Sequence, residues 1–335
     1  MQIITETLET LTLGPPTTFL NLTLFPLSGK CDYGRNYLTL REAIRAGSAS
    51  VREVSEGGSV PELTLENRGQ KPVLILEGEE LIGAKQNRTA NVTILAPAGK
   101  TVRVPVTCVE AGRWRYQGRD FTPSEQLHFA RGRQNKMASV SRSMQRTGAR
   151  HANQGEVWED IAAKSVRMNV NAPTSAMSDV YGAHQTRIDD YVGAFKADAD
   201  QQGAVFAIGD RVEGMELFDC QQTLAEMLPK LVRSYAIDAI ESVRGHRANP
   251  TTANAEAFLA QLRGADFETY PAVGEGTEIR ANGAGVMGAG LVAQDRVVHF
   301  AAFAAPVGTA GERGHGNPDS DGIVRMRTRR WRMRG

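Results

Sequence analysis

The spacing of hydrophobic positions changes along the chain, and each change predicts a different kind of element. From the start to about Gln117 the pattern reads as β. Phe19–Leu27 alternates, with Phe19, Leu22 and Leu24 among polar partners. Val73–Leu76, Arg88–Leu95 and Thr101–Val109 are β-branched runs bounded by turn signals. Within Arg88–Leu95, Ala90, Val92 and Ile94 share one face, and Thr89, Asn91 and Thr93 share the other. The turn Ala96-Pro97-Ala98-Gly99 then leads into a strand with Val102, Val104, Val106 and Cys108 on one side. The two runs are therefore expected to form a hairpin, with Arg88 and Glu110 neighbours at its open end. Pro105 cannot donate to a ladder, which predicts an edge position or a bulge.

Beyond Ser124 the period becomes helical. Glu125–Arg150 is polar with weak amphipathicity and reads as a mobile or functional excursion. Helices are predicted at Glu156–Val166 and at Thr174–Phe195, where Met177, Val180, Tyr181, His184, Ile188, Tyr191 and Phe195 recur at i+3 and i+4. Ala204–Ile208, Gly209-Asp210 and Arg211–Phe218 read as strand, turn and strand. A long helix follows over Gln221–Val243, with Asp219 placed to cap it, and a shorter one over Ala253–Arg263. Strands near Thr277–Ala281 and Arg296–Phe303 flank a glycine-rich stretch, Asn282–Gly290. That stretch superficially matches a dinucleotide fingerprint but lacks a βαβ context, so it reads as a hairpin of small residues.

The expected fold is α+β: an N-terminal antiparallel β-rich sandwich or barrel, then helices packed on a hairpin-rich sheet. The expected division is a β-rich half over 1–120 and an α+β half over 121–310, with a shared core left open. A flexible basic tail is expected over 311–335.

The chain has 335 residues, 39 Lys and Arg against 38 Asp and Glu, and a formal charge of +1. A hydrophobic share of 41% rules out disorder as the main state. Near-neutral charge argues against nucleic acid as a partner, except through the tail Arg325–Arg334, where cations surround Trp331. Three scattered cysteines supply neither a disulfide framework nor a cysteine-based zinc site. With no signal peptide and no stretch of about 20 apolar residues, a cytoplasmic location away from membranes is expected.

Three clusters are candidates for chemistry. Glu77–Arg88 packs three carboxylates, a lysine, an arginine and two amides into one connection. Glu80 could do acid–base work or hold a divalent cation, the one cofactor these carboxylates bring to mind, while Lys85, Gln86, Asn87 and Arg88 could meet phosphate. The alternative is a solvated hairpin with surface ion pairs. In the second cluster, alternation carries the inward face of the preceding strand to Glu110, with Arg113 or Arg88 as its partner and Trp114 close by. That arrangement reads either as a ligand pocket or as a structural ion pair. The third cluster joins Asp219 to Arg233, Tyr235 and Asp238 on the long helix, where Lys230 is read as solvent-facing.

Leu76–Arg88, Val106–Trp114, Gly203–Gly209, Glu216–Asp219 and Leu231–Asp238 together resemble a prokaryotic family. It is the ADP-ribosylglycohydrolase and rhodanese-phosphatase-associated domain, and the likeness spans about Leu76 to Phe303. The resemblance implies a role near NAD-derived or ADP-ribose-like nucleotides, and with it a protein partner in ADP-ribose metabolism; it transfers no catalytic residue. Two functions are therefore carried forward. One is binding, and processing, of a small phosphorylated nucleotide, with Glu80 and Glu110 catalytic and Trp114 against a base or ribose. The other is a non-catalytic interaction module that recruits an enzyme.

Overall fold

Ile4 and Leu8 lie one helical turn apart, and they are the buried residues of a helix, α1 (Gln2–Thr10), rather than of a strand. The structure is a computed structural model that describes residues 2–29, 34–55, 61–113, 118, 120–242 and 249–305. After α1 come β1 (Thr12–Leu13), β2 (Thr17–Phe19), β3 (Leu22–Ser28) and β4 (Leu38–Thr39). A second helix, α2 (Leu40–Arg45), starts at a capping box in which Thr39 and Glu42 satisfy each other's backbone N–H groups. The all-β reading of the first 117 residues is corrected by these two short helices. Both are too short to outweigh the β-branched runs around them in a sequence pattern.

The next strands are β5 (Ala49–Glu53), β6 (Glu62–Asn67), β7 (Val73–Ile75), β8 (Glu79–Gly83), β9 (Arg88–Ala90), β10 (Ile94–Ala96), β11 (Thr101–Cys108) and β12 (Asp120–Leu127). Six of them close a barrel in the order β11-β6-β5-β12-β8-β9, with every pairing antiparallel. Val51, Leu63, Leu65, Leu81, Ala90, Val104, Val106 and Phe121 share its apolar cluster. Of the expected hairpin, the half nearest Arg88 forms, with Cys108 opposite Arg88 and Val106 opposite Ala90. The other half diverges, because β10 pairs with β7, which in turn pairs in parallel with β4. Pro105 is neither at an edge nor in a bulge. It stands where β11 changes partner from β6 to β9, a position that tolerates the missing donor.

The chain continues with α3 (Ala130–Thr147), α4 (Gln154–Arg167), α5 (Met177–Ala183), α6 (Gln185–Ala194), β13 (Gln201–Ile208), β14 (Arg211–Phe218), α7 (Gln221–Ser242) and α8 (Thr252–Arg263). The polar stretch read as an excursion is mostly the ordered helix α3, and the single helix expected over Thr174–Phe195 breaks at His184. Strands β15 (Asp266–Pro271), β16 (Thr277–Gly283), β17 (Val286–Ala293) and β18 (Arg296–Ala304) complete the described elements. A nine-stranded sheet runs β1-β3-β13-β14-β18-β17-β16-β15, with β2 on β3. The glycine-rich stretch is the β16–β17 hairpin. A side chain at Gly288 or Gly290 would meet the Phe300 ring within 2.7 Å, so close packing explains these glycines.

This sheet is covered on both faces. Phe25, Leu27, Val205, Met215, Leu217 and Phe300 pack with Ile4 and Leu8 of α1 and with Phe258 and Leu262 of α8. On the other face Leu24, Phe206, Phe218 and Leu291 pack under Leu228, Leu231 and Tyr235 of α7, in one core with Leu74, Leu76 and Leu95. The architecture is α+β, an antiparallel barrel followed by helices on a hairpin-rich sheet. The described residues up to Ala304 form one compact unit. The basic segment Arg325–Arg334 lies outside the described residues.

Candidate functional site at one end of the barrel

The turn between β8 and β9 and the segment after β11 emerge at the same end of the barrel, because Arg88 pairs with Cys108 across the ladder. Glu110 sits between them, buried, and nearly every direction around its carboxylate is occupied. The Asn87 backbone N–H (3.2 Å) and Arg113 Nε (2.9 Å) donate to Oε2, and the Thr174 hydroxyl donates to Oε1 (3.1 Å). Arg113 in turn donates from Nη1 to the Ala84 carbonyl and from Nη2 to Asn87 Oδ1, both at 2.9 Å. It thereby holds a turn in which Ala84 adopts a positive φ of 39°. Gln86 donates to the Glu110 carbonyl and accepts from Arg88 Nη1 (3.0 Å). Gln154, the first residue of α4, exchanges two hydrogen bonds with the Cys108 backbone. The segment before α5 closes over this end through Gly112 N–H to the Thr174 carbonyl and Met177 N–H to the Val109 carbonyl. Gln86, Asn87, Arg88, Glu110 and Arg113 are thus brought together, with Lys85 half-buried in the same turn. Trp114 lies outside the described residues.

Glu80, on β8, is fully buried. Its Oε2 accepts from the Ser124 hydroxyl at 2.8 Å, and its Oε1 has no hydrogen-bond partner among the described residues. Burial pushes this carboxyl up to about 7; Ser124 and Lys230 pull it down, and the negative charge of Glu110 adds to the rise. The two acidic neighbours of Glu80 differ from it. Glu79 accepts from Lys230 Nζ at 2.5 Å, so Lys230 is a buried core partner and not a solvent-facing residue. Glu77 accepts from Arg133 Nε at 2.9 Å and lies 3.0 Å from Lys136 Nζ. The connection, for which a solvated hairpin is the alternative reading, instead buries its three carboxylates, Glu77 in the turn before β8 and Glu79 and Glu80 on that strand, each with its own surroundings.

The third cluster does not come together. Asp219 accepts from the buried Tyr37 hydroxyl (2.5 Å) and faces Arg296. Tyr235 stacks on Phe206 and donates to Glu216, Asp238 binds Lys164 at 2.5 Å, and Arg233 reaches the exposed Asp189. At about 100° per helical residue Arg233 lies on the far side of α7 from Tyr235 and Asp238, which share a buried flank but meet different partners.

Sequence reasoning missed the most deeply buried charges. Arg133 and Lys136 occupy core positions of α3 in one stripe with Met137, Val140 and Met144. Arg133 Nη1 donates to Glu216 Oε1 at 2.5 Å, and His299, whose other ring nitrogen meets Thr93, lies 3.1 Å from Glu216 Oε2. Burial works against the Arg133 charge, yet Glu216 and Glu77 hold it above its ordinary value. Burial likewise opposes the Glu216 charge, and Arg133 and His299 keep it below the usual carboxylate range. The available signal was an apolar stripe interrupted by charges at core spacing, together with Glu216 between Met215 and Leu217 in a strand covered on both sides.

Among the described residues no group of three or more His, Cys, Asp or Glu side chains converges as a metal site. Nor is any helix among the described residues long and apolar enough to cross a membrane. Neither a curated protein nor a solved structure matches the chain. A family model does, over residues 10–303, which carries the likeness from Leu76 back through the barrel and β3. The chain belongs to the family described as the ARG and Rhodanese-Phosphatase-superfamily-associated Protein domain, ARPP-1.

Proposed function

We propose that the end of the barrel binds a small phosphorylated, nucleotide-like molecule and that Glu80 exchanges a proton with it. The observation that carries this reading is the state of Glu80: fully buried, with one oxygen unpartnered and a proton affinity near neutrality. A carboxyl in that condition is equally ready to give and to take a proton at physiological pH. Lys85, half-buried on the turn between β8 and β9, and Arg88, buried at the start of β9, supply positive charge for phosphate. Glu110 and Arg113 act as positioning residues, since their hydrogen bonds lock the turn that presents those cations. The ligand class rests on the family's association with ARG, read as ADP-ribosylglycohydrolase, which points to ADP-ribose or another NAD derivative.

A second reading is supported by the same saturation of Glu110. If all the charges at this end serve only to hold loops, the domain is a non-catalytic module that works beside an ARG or rhodanese–phosphatase partner. Calorimetric titration of the chain with ADP-ribose and ADP separates the two. The ligand reading expects saturable binding that Lys85→Gln weakens about tenfold, the effect of one lost charge-assisted hydrogen bond. It also expects Glu80→Gln to keep binding while abolishing its pH dependence near 7. No binding by either nucleotide, with the chain folded, decides for the module.

A further inference from the structure

Helix α3 carries a second polar stripe on a different flank from Arg133 and Lys136. Ser139, Arg142, Ser143, Arg146 and Thr147 recur at one-turn spacing there. They face the loop through His151 and Asn153 and the first turn of α4 across a groove of about 350 Å³. Small-ligand sites begin at about 300 Å³, so the groove is large enough for a molecule and not merely for water. Its charge is lopsided. Glu156 is the acidic residue along it, 3.5 Å from Arg142 and already accepting from Asn153 Nδ2 at 3.0 Å. Arg146 and His151 have no hydrogen-bond or ion-pair partner among the described residues.

Thr147 spends its hydroxyl on the Ser143 carbonyl and the Ala149 N–H, whereas Ser139, which accepts from the Asn153 N–H, keeps its own hydrogen to donate. Two guanidinium groups one turn apart, flanked by the hydroxyls of Ser139 and Ser143, suit a tetrahedral anion with several charged oxygens. A lone carboxylate would engage one fork and leave the second cation and the hydroxyls without use. Helix propensity does not require this composition either, because serine and threonine are neutral to unfavourable in helix interiors. None of the lining residues belongs to the barrel end, so the groove is a separate site.

We propose that the α3–α4 groove is a binding site for a phosphate group carried by a small molecule, with Arg142 and Arg146 as its principal contacts. The source of the phosphate, a nucleotide or a sugar phosphate, is resolved by the probes. Full-length chain is titrated calorimetrically at low salt with ADP, ribose 5-phosphate and pyrophosphate, and with citrate as a carboxylate control. Expected is saturable binding of the phosphates that weakens with added salt. In the Lys85→Gln background, which weakens the barrel-end site, Arg142→Gln or Arg146→Gln should each weaken phosphate binding about tenfold, and the double variant should lose it, all at unchanged melting temperature. Binding of ADP and not of ribose 5-phosphate identifies a nucleotide; binding of both identifies the phosphate itself. The inference is overturned if the double variant binds as tightly as Lys85→Gln alone, if citrate binds equally well, or if the parent shows no saturable binding. Loss of binding in Lys85→Gln with retention when only Arg142 and Arg146 are replaced overturns the groove while leaving the barrel-end reading standing.

Discussion

Glu216 and Glu80 are both carboxyls without solvent exposure, yet Glu216 is held below the ordinary carboxylate range and Glu80 is raised to about 7. The difference lies in what was buried with them. Glu216 shares its site with Arg133, His299 and Tyr235, contributed by α3, β18 and α7. Glu80 has one hydroxyl beside it, and Lys230, whose charge acts on it, is already engaged by Glu79. A buried charge with a matched counter-charge joins elements together; one without it keeps its proton and its reactivity.

The comparison breaks most visibly at Arg133. Replacing it with Met leaves Glu77 and Glu216 buried and short of counter-charge, and the expected loss is about 3–5 kcal/mol by urea unfolding. A double-mutant cycle with Glu216→Gln should return a coupling of at least about 1 kcal/mol, and an additive result would show that the two are not one unit. Glu80 should respond in the opposite direction. Its folded value lies above the ordinary 4.5, so the folded chain binds the proton more tightly. Stability should then fall by about 3 kcal/mol as pH rises from about 4.5 to about 7, and stay flat above that. Glu80→Gln removes the decline, and at pH 8 it should melt higher than the parent chain; a lower melting point there would contradict the unpartnered state of Glu80. The smallest effect belongs to Glu110→Gln, which keeps the shape and some of the hydrogen bonds but not the charge. About 1–3 kcal/mol of stability should be lost, read from the same urea titrations.

The elements that could be read in the sequence are those that carry a continuous apolar stripe, even where charges such as Lys230 and Glu216 are buried beside it. The β13–β14 hairpin, the long helix α7, α8 and the hairpins around the glycine-rich stretch all follow from period and turn chemistry. The meeting of the Lys85–Arg88 turn with Glu110 was readable too, because a two-residue alternation carries register across a ladder. What stayed hidden is the charged core. Arg133, Lys136 and Lys230 look like surface residues in any hydrophobicity pattern, and each is buried only because a carboxylate more than 50 residues away in the chain meets it. Asp219, Tyr235 and Asp238 group by their nearness in sequence, yet each is held by a partner from a different element, Tyr37, Glu216 and Lys164.

The position of β3 in the large sheet has a consequence for synthesis. β3 pairs along its length with β13, so residues 22–28 leave the ribosome well before residues 201–208 exist. At roughly 5–20 residues per second, that interval is on the order of ten seconds or more. The barrel strands, all within residues 49–127, are complete long before it ends. Throughout it, α1, β1 and β2 can already engage one face and one edge of the segment, while the edge meant for β13 and the Leu22 and Leu24 side chains have nothing yet to cover them. Pro26 in the middle of the segment withholds one amide from any stray pairing, in the manner of a gatekeeper against aggregation. Until the second half arrives, that edge is where aggregation of the nascent chain would start.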